Sequence, residues 1–321
     1  MNLKLAIYTI DVKHKHKKDK VNFENAFKTI SVNTLTKEEY YKDFITKYIQ
    51  SFDGKFTSSD ENSKSITTDN LEFIVSENLI YGMIKGGTTN VEIDIFESKN
   101  SGTPVGKISR NQIAAQPYFF LLYTPYDKSY GVLMIQYYSI ASVTTSFKKN
   151  LHDFFRKHEL TLSMYPFVTE KQKKSFLKKS VINKISLSKV VRDNAVRSKF
   201  NPLIIEEDSY EVVIEFRKIK QNPEKIIERI KDSVLNNKKI IGADLSDFGI
   251  QDNSNLNLKV FYENEDGKKS HSSMKNDFEI LPTIDLPDSL KEKLKDSPNL
   301  LRTKEHCFEL LKTVKEEILK K

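Results

Sequence analysis

The sequence predicts an α+β protein with two domains, each built from a mainly antiparallel sheet and packing helices. The 321 residues exceed what one hydrophobic core commonly organises, so two domains are expected. Hydrophobic residues make up 38% of the chain and charged residues 30%, which indicates a globular protein with a real core. Strand-like apolar runs separated by turn residues occur in both halves. We therefore place the predicted domains at 1–158 and 159–321.

The first predicted domain begins with a strand at 3–12, where apolar residues alternate with polar ones. A helix follows at 21–30, and a stronger helix begins at Thr36, which forms a capping box with Glu39. A stretch of Ser, Thr, Asp and Asn at 57–70 is typical of a loop. The next predicted elements are strands at 71–75, 79–85 and 91–96 and a short helix at 109–116.

Two strands at 118–124 and 130–138 are predicted to form an apolar hairpin. Their hydrophobic residues are nearly continuous, which is typical of central strands covered on both faces. A helix at 143–157 then brings aromatic residues to one side and basic residues to the other, and it closes the first predicted domain.

The second predicted domain repeats the mixture of strands and helices. Asn222 and Pro223 are typical of a helix start, because Asn is a good cap and Pro suits the first turn. In the segment 256–262, the leucines and Val260 alternate with Lys259 and Phe261, so we expect the former inside and the latter outside. The other predicted elements are strands at 160–168, 181–190, 210–217 and 239–243, helices at 170–178 and 303–319, and a hairpin turn at 265–267.

Several classes of protein are excluded by composition. The single cysteine, Cys307, rules out a disulfide framework and a cysteine-based zinc site, and we expect it to be a small buried hydrophobe. The first residues lack the apolar region and cleavage site of a signal peptide. The longest apolar runs fall far below the roughly 20 residues that cross a bilayer. We therefore expect a cytoplasmic protein.

The net charge of +8 is distributed unevenly along the chain. The segment 148–199 holds 14 basic and four acidic residues, whereas the rest of the chain holds 38 basic and 40 acidic ones. A general bias in composition would raise the numbers of Glu and Lys residues together. In this segment Lys is abundant while acidic residues are few, so such a bias does not explain the excess. Such a concentration is typical of a face that binds a polyanion, although a solvated lysine-rich surface is the alternative.

The sequence favours a protein that is not an enzyme and has no cofactor or metal. It lacks the G-x-S-x-G pattern of a nucleophilic serine and the spacing of a phosphate-binding Walker A loop. The enzymatic alternative is a magnesium-dependent nuclease. In that hypothesis Glu97 and Lys99, with Asp69 or Asp94 as a second carboxylate, hold the metal and the attacking water.

We expect the polyanion to be DNA, bound through its phosphates. Lysine far outnumbers arginine in the basic segment, and lysine suits phosphate neutralisation better than base reading, so binding should be weakly sequence-selective and steeply salt-dependent. The expected contacts form one helix-strand face, a polar continuation and a C-terminal hairpin. They are Lys171, Lys173, Lys174, Lys178, Lys179 and Lys184, then Arg192, Arg197 and Lys199, and finally Lys259, Lys268 and Lys269.

The chain resembles the RexA family of prophage-encoded phage-exclusion proteins across most of its length. The resemblance rests on the order of elements, including Lys107-Ile108-Ser109-Arg110 before Gln116-Pro117-Tyr118, a basic helix and strand after Tyr165-Pro166-Phe167, and the hairpin at 256–269. It implies a cytoplasmic, homodimeric DNA-binding sensor of an abortive-infection system, whose effector is a membrane protein encoded nearby. It also implies that the strand of Lys259 contributes to the DNA face, with Phe261 standing where the family pattern has a basic residue.

A third hypothesis is a protein-interaction module without catalysis. In that case the same lysines bind an acidic protein partner or a membrane surface. Competition by heparin but not by DNA would distinguish this class from a DNA-binding protein.

Overall fold

A computed structural model describes residues 1–31, 33–52, 56, 64–97, 102–191, 210–231, 239–240, 243–244, 257–265, 267–274 and 281–319. The chain divides into two compact units. Unit 1 comprises Met1–Phe167 and Ile284–Lys321, and unit 2 comprises Val168–Thr283. The boundary predicted near residue 158 falls inside unit 1, because the strand at 160–167 pairs with the first strand of the chain and the C-terminal helix packs in the same unit.

The helices and strands are numbered in chain order. The helices are α1 (Phe23–Ile30), α2 (Lys37–Gln50), α3 (Thr144–Lys157), α4 (Glu170–Lys179), α5 (Pro223–Lys231) and α6 (Leu300–Leu319). The strands of unit 1 are β1 (Leu3–His14), β2 (Lys20–Val21), β3 (Lys64–Ile74), β4 (Leu79–Thr88), β5 (Ile93–Ile95), β6 (Gly106–Ile108), β7 (Gln116–Tyr123), β8 (Tyr130–Tyr138), β9 (Leu160–Phe167) and β16 (Ile284–Asp285). Those of unit 2 are β10 (Val181–Val191), β11 (Tyr210–Gln221), β12 (Lys239–Ile240), β13 (Ala243–Asp244), β14 (Asn257–Glu263) and β15 (Lys269–Met274).

Unit 1 is organised around an eight-stranded antiparallel sheet. Its order is β16-β1-β8-β7-β4-β3, and β2 and β9 also pair with β1. The central hairpin of β7 and β8 is confirmed, and residues 118–122 and 131–136 are buried without interruption. This burial explains the near-continuous hydrophobic sequence, since both faces of these strands are covered.

Helices cover the two faces of the unit 1 sheet. On one face, Phe147 of α3 packs against Phe120 of β7, with ring centroids 4.9 Å apart. On the other face, the ring of Phe308 in α6 meets that of Tyr81 in β4 at 5.3 Å. Cys307 of α6 is fully buried, as predicted, and burial raises the pKa of its thiol to about 12.

An aromatic cluster joins α1, α2 and α3. The capping box of Thr36 and Glu39 is confirmed at the start of α2. This helix then places Phe44 in the centre of the cluster, 4.6 Å from the ring of Phe27 and 5.8 Å from that of Phe154. Aromatic rings at such distances add to the free energy that their burial already provides.

Three predictions of local structure are wrong. The loop predicted at 57–70 ends earlier, because β3 starts at Lys64 and pairs residue by residue with β4; residues 57–63 lie outside the described part. The helix predicted at 109–116 is a single turn closed by the N–H of Gln112 on the carbonyl of Ser109, after which the chain passes against Gly87 too closely for a Cβ. The strand predicted at 239–243 is instead the short antiparallel pair β12 and β13.

Unit 2 has a four-stranded antiparallel sheet of order β11-β10-β14-β15. Helices α4 and α5 pack on one face of it through Phe176 and Ile226. The cap predicted at the start of α5 is confirmed, since the side-chain oxygen of Asn222 accepts the N–H of Glu224 at 2.9 Å. In the described part of the chain, no helix combines the length and apolar character needed to cross a membrane.

The substitution Phe44→Ala should lower the free energy of unfolding of unit 1 by about 3–5 kcal/mol, because it empties the centre of the aromatic cluster. Urea-induced unfolding followed by far-UV circular dichroism measures this change. Lys42→Ala, on the exposed side of the same helix, is the control and should shift stability by less than about 0.5 kcal/mol. Equal effects of the two substitutions would contradict the packing described.

Candidate nucleic-acid interface

Helix α4 begins with a capping box that fixes its first turn. The hydroxyl of Thr169 accepts the N–H of Gln172 at 3.3 Å, and the side-chain oxygen of Gln172 accepts the N–H of Thr169 at 3.0 Å. One turn further along, Phe176 is buried and its ring lies 4.7 Å from that of Tyr262 on β14. This contact determines which side of α4 faces the sheet.

The opposite side of α4 carries a lysine stripe, formed by Lys171, Lys174 and Lys178. Their spacing of three and four residues places them along one side of the helix, and all three are exposed. Within the described part of the chain, none of the three forms an ion pair. The lysine stripe is therefore a row of positive charge without a neutralising carboxylate among those residues.

The two other lysines of α4 are placed differently. Lys173 is mostly buried along the side of the helix and pairs with Glu170 at 3.3 Å. Lys179, at the last residue of α4, pairs with Glu265 at 2.7 Å. Of the five lysines predicted on this helix, three are thus oriented for an external partner and two are engaged locally.

The sheet of unit 2 presents its polar residues on the face away from α4 and α5. Alternation along each strand produces this arrangement, since neighbouring residues point to opposite faces. We call this surface the open face, because neither of the described helices of unit 2 packs on it. It comprises Lys184, Ser186 and Ser188 of β10, Glu211, Val213, Glu215 and Arg217 of β11, Asn257, Lys259, Phe261 and Glu263 of β14, and Lys269, His271 and Ser273 of β15.

One row of the open face crosses all four strands. Lys184 is paired in register with Arg217 on one side and with Phe261 on the other, and Phe261 is paired with His271. The ammonium of Lys184 lies 3.9 Å from the centroid of the Phe261 ring, within the range of a cation–π interaction. The rings of Phe261 and His271 have centroids 5.6 Å apart and are tilted by 33°.

Glu215 holds the cations of this row in place. Its carboxylate accepts hydrogen bonds from Lys184 Nζ at 2.8 Å and from Arg217 Nε at 2.8 Å. These hydrogen bonds hold the pKa of Glu215 below its ordinary value, and the hydrogen bond from Lys184 has the largest effect. The carboxylate therefore stays ionised well below neutral pH and keeps both cations oriented.

A bulge at the end of β11 exposes two further lysines, which the sequence analysis does not include among the expected contacts. Lys218 and Lys220 have φ values of 61° and 49°, in the left-handed region, and both are exposed. Three residues of β11 lie between the pairs that Arg217 and Gln221 make with β10, opposite one residue of β10, so the bulge holds two extra residues. Bulges of this kind redirect side chains near functional sites. No glycine or turn residue in the sequence signals the bulge.

The structure divides the predicted helix-strand face between two surfaces, and it places the strand of this face beside the predicted hairpin. The lysine stripe lies on the outside of α4, whereas Lys184, Lys259 and Lys269 lie on the open face, across the sheet from that helix. The expectation that Lys259 and Phe261 point out while Leu258 and Val260 point in is confirmed. Lys268 lies in the turn before β15, where its N–H donates to Asn264 Oδ1 at 2.9 Å. Arg192, Arg197 and Lys199 lie outside the described residues.

The proposed nuclease residues are distributed over different sheets. Glu97 follows β5 and is exposed, Asp69 lies on β3, where it pairs with Lys85 at 2.8 Å, and Asp94 lies opposite Lys107. Lys99 lies outside the described residues. Over the described ranges, no three His, Cys, Asp or Glu side chains form a group that would hold a metal ion.

Comparisons with protein-family models, curated proteins and solved structures find no match to this chain.

Phe176→Ala should release α4 from the sheet, because the substitution removes the ring that packs on Tyr262. Hydrogen exchange of β10 and β14 amides measures the effect within unit 2, and their protection should fall by a free energy of about 3–5 kcal/mol. Ser175→Ala, at the neighbouring exposed position, should leave protection unchanged. Unaltered protection in Phe176→Ala would contradict the anchoring role of this ring.

Proposed function

We propose that this chain binds DNA through its phosphates, without sequence specificity and without catalysis, and that the lysine stripe of α4 is the principal contact. The observation that supports this proposal is the stripe itself, with three exposed lysines in a row and no ion-pair partner in the described part of the chain. Because no described carboxylate neutralises these charges, we expect a bound phosphate to be attracted by all three lysines and to release condensed counterions.

The chemistry of the stripe favours phosphate contact over base reading. Direct readout in the major groove relies on Arg, Asn or Gln side chains that make two hydrogen bonds to a base edge. The exposed side of α4 offers lysine ammonium groups, which act as point charges. The stripe extends about 10 Å along the helix, the rise of seven residues. Unrelated DNA sequences should therefore bind with similar affinity.

The biological role that we propose comes from the resemblance to RexA-like proteins. In this role the chain is a cytoplasmic, homodimeric sensor of a phage-exclusion system, and a membrane protein encoded nearby is its effector. DNA bound through the lysine stripe is the signal that the sensor reports. A neighbouring gene for a small membrane protein with several spans would support this role, and its absence from the genomic neighbourhood would count against it.

Replacing Lys171, Lys174 and Lys178 together by Gln should weaken binding to duplex DNA and make it less sensitive to salt. Gln is chosen because it keeps a high helix propensity while removing the charge. Each lost phosphate contact reduces the slope of log affinity against log salt by about 0.9, so the triple variant should lose about 3 in slope. Fluorescence anisotropy with two unrelated duplexes across a salt series measures both quantities.

A matched control separates a local contact from a change in net charge. Lys42, Lys293 and Lys295 of unit 1 are exposed, and their joint replacement by Gln removes the same total charge. This control should retain the slope and affinity of the unmodified protein. Equal losses in both triple variants would contradict the assignment to α4, and binding to heparin with none to DNA would contradict the proposed function.

A further inference from the structure

The open face of unit 2 carries two aromatic rings that the hydrophobic core does not use. The core of this unit is formed by Phe176, Tyr262 and their neighbours on the opposite side of the sheet. Phe261 is half-buried among polar residues, and His271 beside it is exposed. The rings lie on neighbouring strands, with centroids 5.6 Å apart.

Cations lie beside this aromatic pair, together with the carboxylates of Glu215 and Glu263. Lys184 is positioned over the Phe261 ring, and Lys259 lies two residues before Phe261 on the same face. Arg217 is 72% exposed at the other end of the row and is held by Glu215. Aromatic rings interleaved with basic side chains on an open sheet are the arrangement that proteins use to bind unpaired nucleotides.

Stacking on these rings requires bases that are not paired. In a duplex each base is covered above and below by its neighbours, so flat rings on a protein surface do not reach its π-face. In a single strand the bases are free to stack on aromatic side chains, and their phosphates remain available to lysines. The combination of rings and cations on the open face therefore favours single-stranded nucleic acid, whereas the lysine stripe of α4 provides charge alone.

We infer that the open face of unit 2 binds single-stranded nucleic acid by stacking bases on Phe261 and His271, with Lys184 and Lys259 against the flanking phosphates. This inference rests on the proposed function for the nature of the polyanion and adds a second, distinct site to it. A base that stacks on Phe261 displaces the Lys184 ammonium from above the ring. The ammonium then lies beside the phosphate of the entering nucleotide.

The test compares three fluorescent probes with the full chain by anisotropy at about 0.15 M salt. The probes are a 20-nucleotide oligothymidine, a 20-nucleotide strand of abasic sites with the same phosphates, and a 20-base-pair duplex. Stacking of one base should make oligothymidine bind about 5- to 150-fold more tightly than the abasic strand, which corresponds to about 1–3 kcal/mol. Equal affinity for these two strands would overturn the inference, and this result does not depend on any variant.

Substitutions on the open face assign the effect to the two rings. The double variant of Phe261→Leu and His271→Ser should lose the preference for oligothymidine over the abasic strand while it keeps its affinity for the duplex. Phe261→Tyr alone should retain the preference, because the ring remains. Val213→Ala is the matched control, an exposed apolar residue of the same face without a ring, and it should behave like the unmodified protein. A preference that survives the double variant would overturn the inference.

The outcomes distinguish this inference from the proposed function. Binding of duplex that depends on the lysine stripe, with no preference for oligothymidine over the abasic strand, contradicts the stacking site and supports the proposed function. Binding of none of the three probes contradicts both. A preference for oligothymidine that the Gln triple variant of the lysine stripe leaves intact supports two independent surfaces.

Discussion

The candidate interface depends on one constraint, that the described helices of unit 2 pack on the same face of its sheet. The contact between Phe176 and Tyr262 places α4 on that face, and Ile226 adds α5 beside it. Because successive residues of a strand point to opposite sides, burial of Leu258 and Val260 turns Lys259 and Phe261 to the other side. Basic residues that are close in sequence therefore lie on opposite surfaces of unit 2.

The two surfaces differ in chemistry as a consequence. The outside of α4 holds lysines without carboxylate partners in the described part of the chain, which suits a uniform array of phosphates. The open face holds rings and cations organised around Glu215, which suits a ligand with flat groups as well as charge. Unit 2 thus carries one surface of unneutralised lysines among the described residues and a second surface that combines aromatic rings with cations.

Sequence patterns predicted the parts of this arrangement that are local. The alternation in β14, the helix of α4 and the cap at Asn222 follow from periodicity and from side-chain hydrogen bonds within a few residues. The fold class was predicted for the same reason, since it needs only the kinds of element present. Local patterns fail where a strand forms through its pairing with another strand. The polar stretch Ser65-Ile66-Thr67 is part of β3 because it pairs with β4.

Long-range features could not be predicted from these patterns. No local sequence pattern indicates that β9 pairs with β1. None indicates that the exposed side of α4 and the polar side of β10 face opposite directions. The left-handed backbone at Lys218 and Lys220 also has no signature in the sequence, because lysine rarely adopts this conformation. The predicted helix-strand face was therefore treated as one surface, whereas Lys184 of the strand lies across the sheet from the lysines of α4.

Lysine acetylation footprinting tests whether DNA binds at the lysine stripe of α4, because it reports on each ammonium group separately. The full chain is treated with a limiting acetylating reagent with and without saturating duplex DNA, and modified peptides are quantified by mass spectrometry. We expect DNA to protect Lys171, Lys174 and Lys178, while Lys42 and Lys293 of unit 1 react as before. Protection confined to lysines of unit 1, or equal protection of all these lysines, would contradict it.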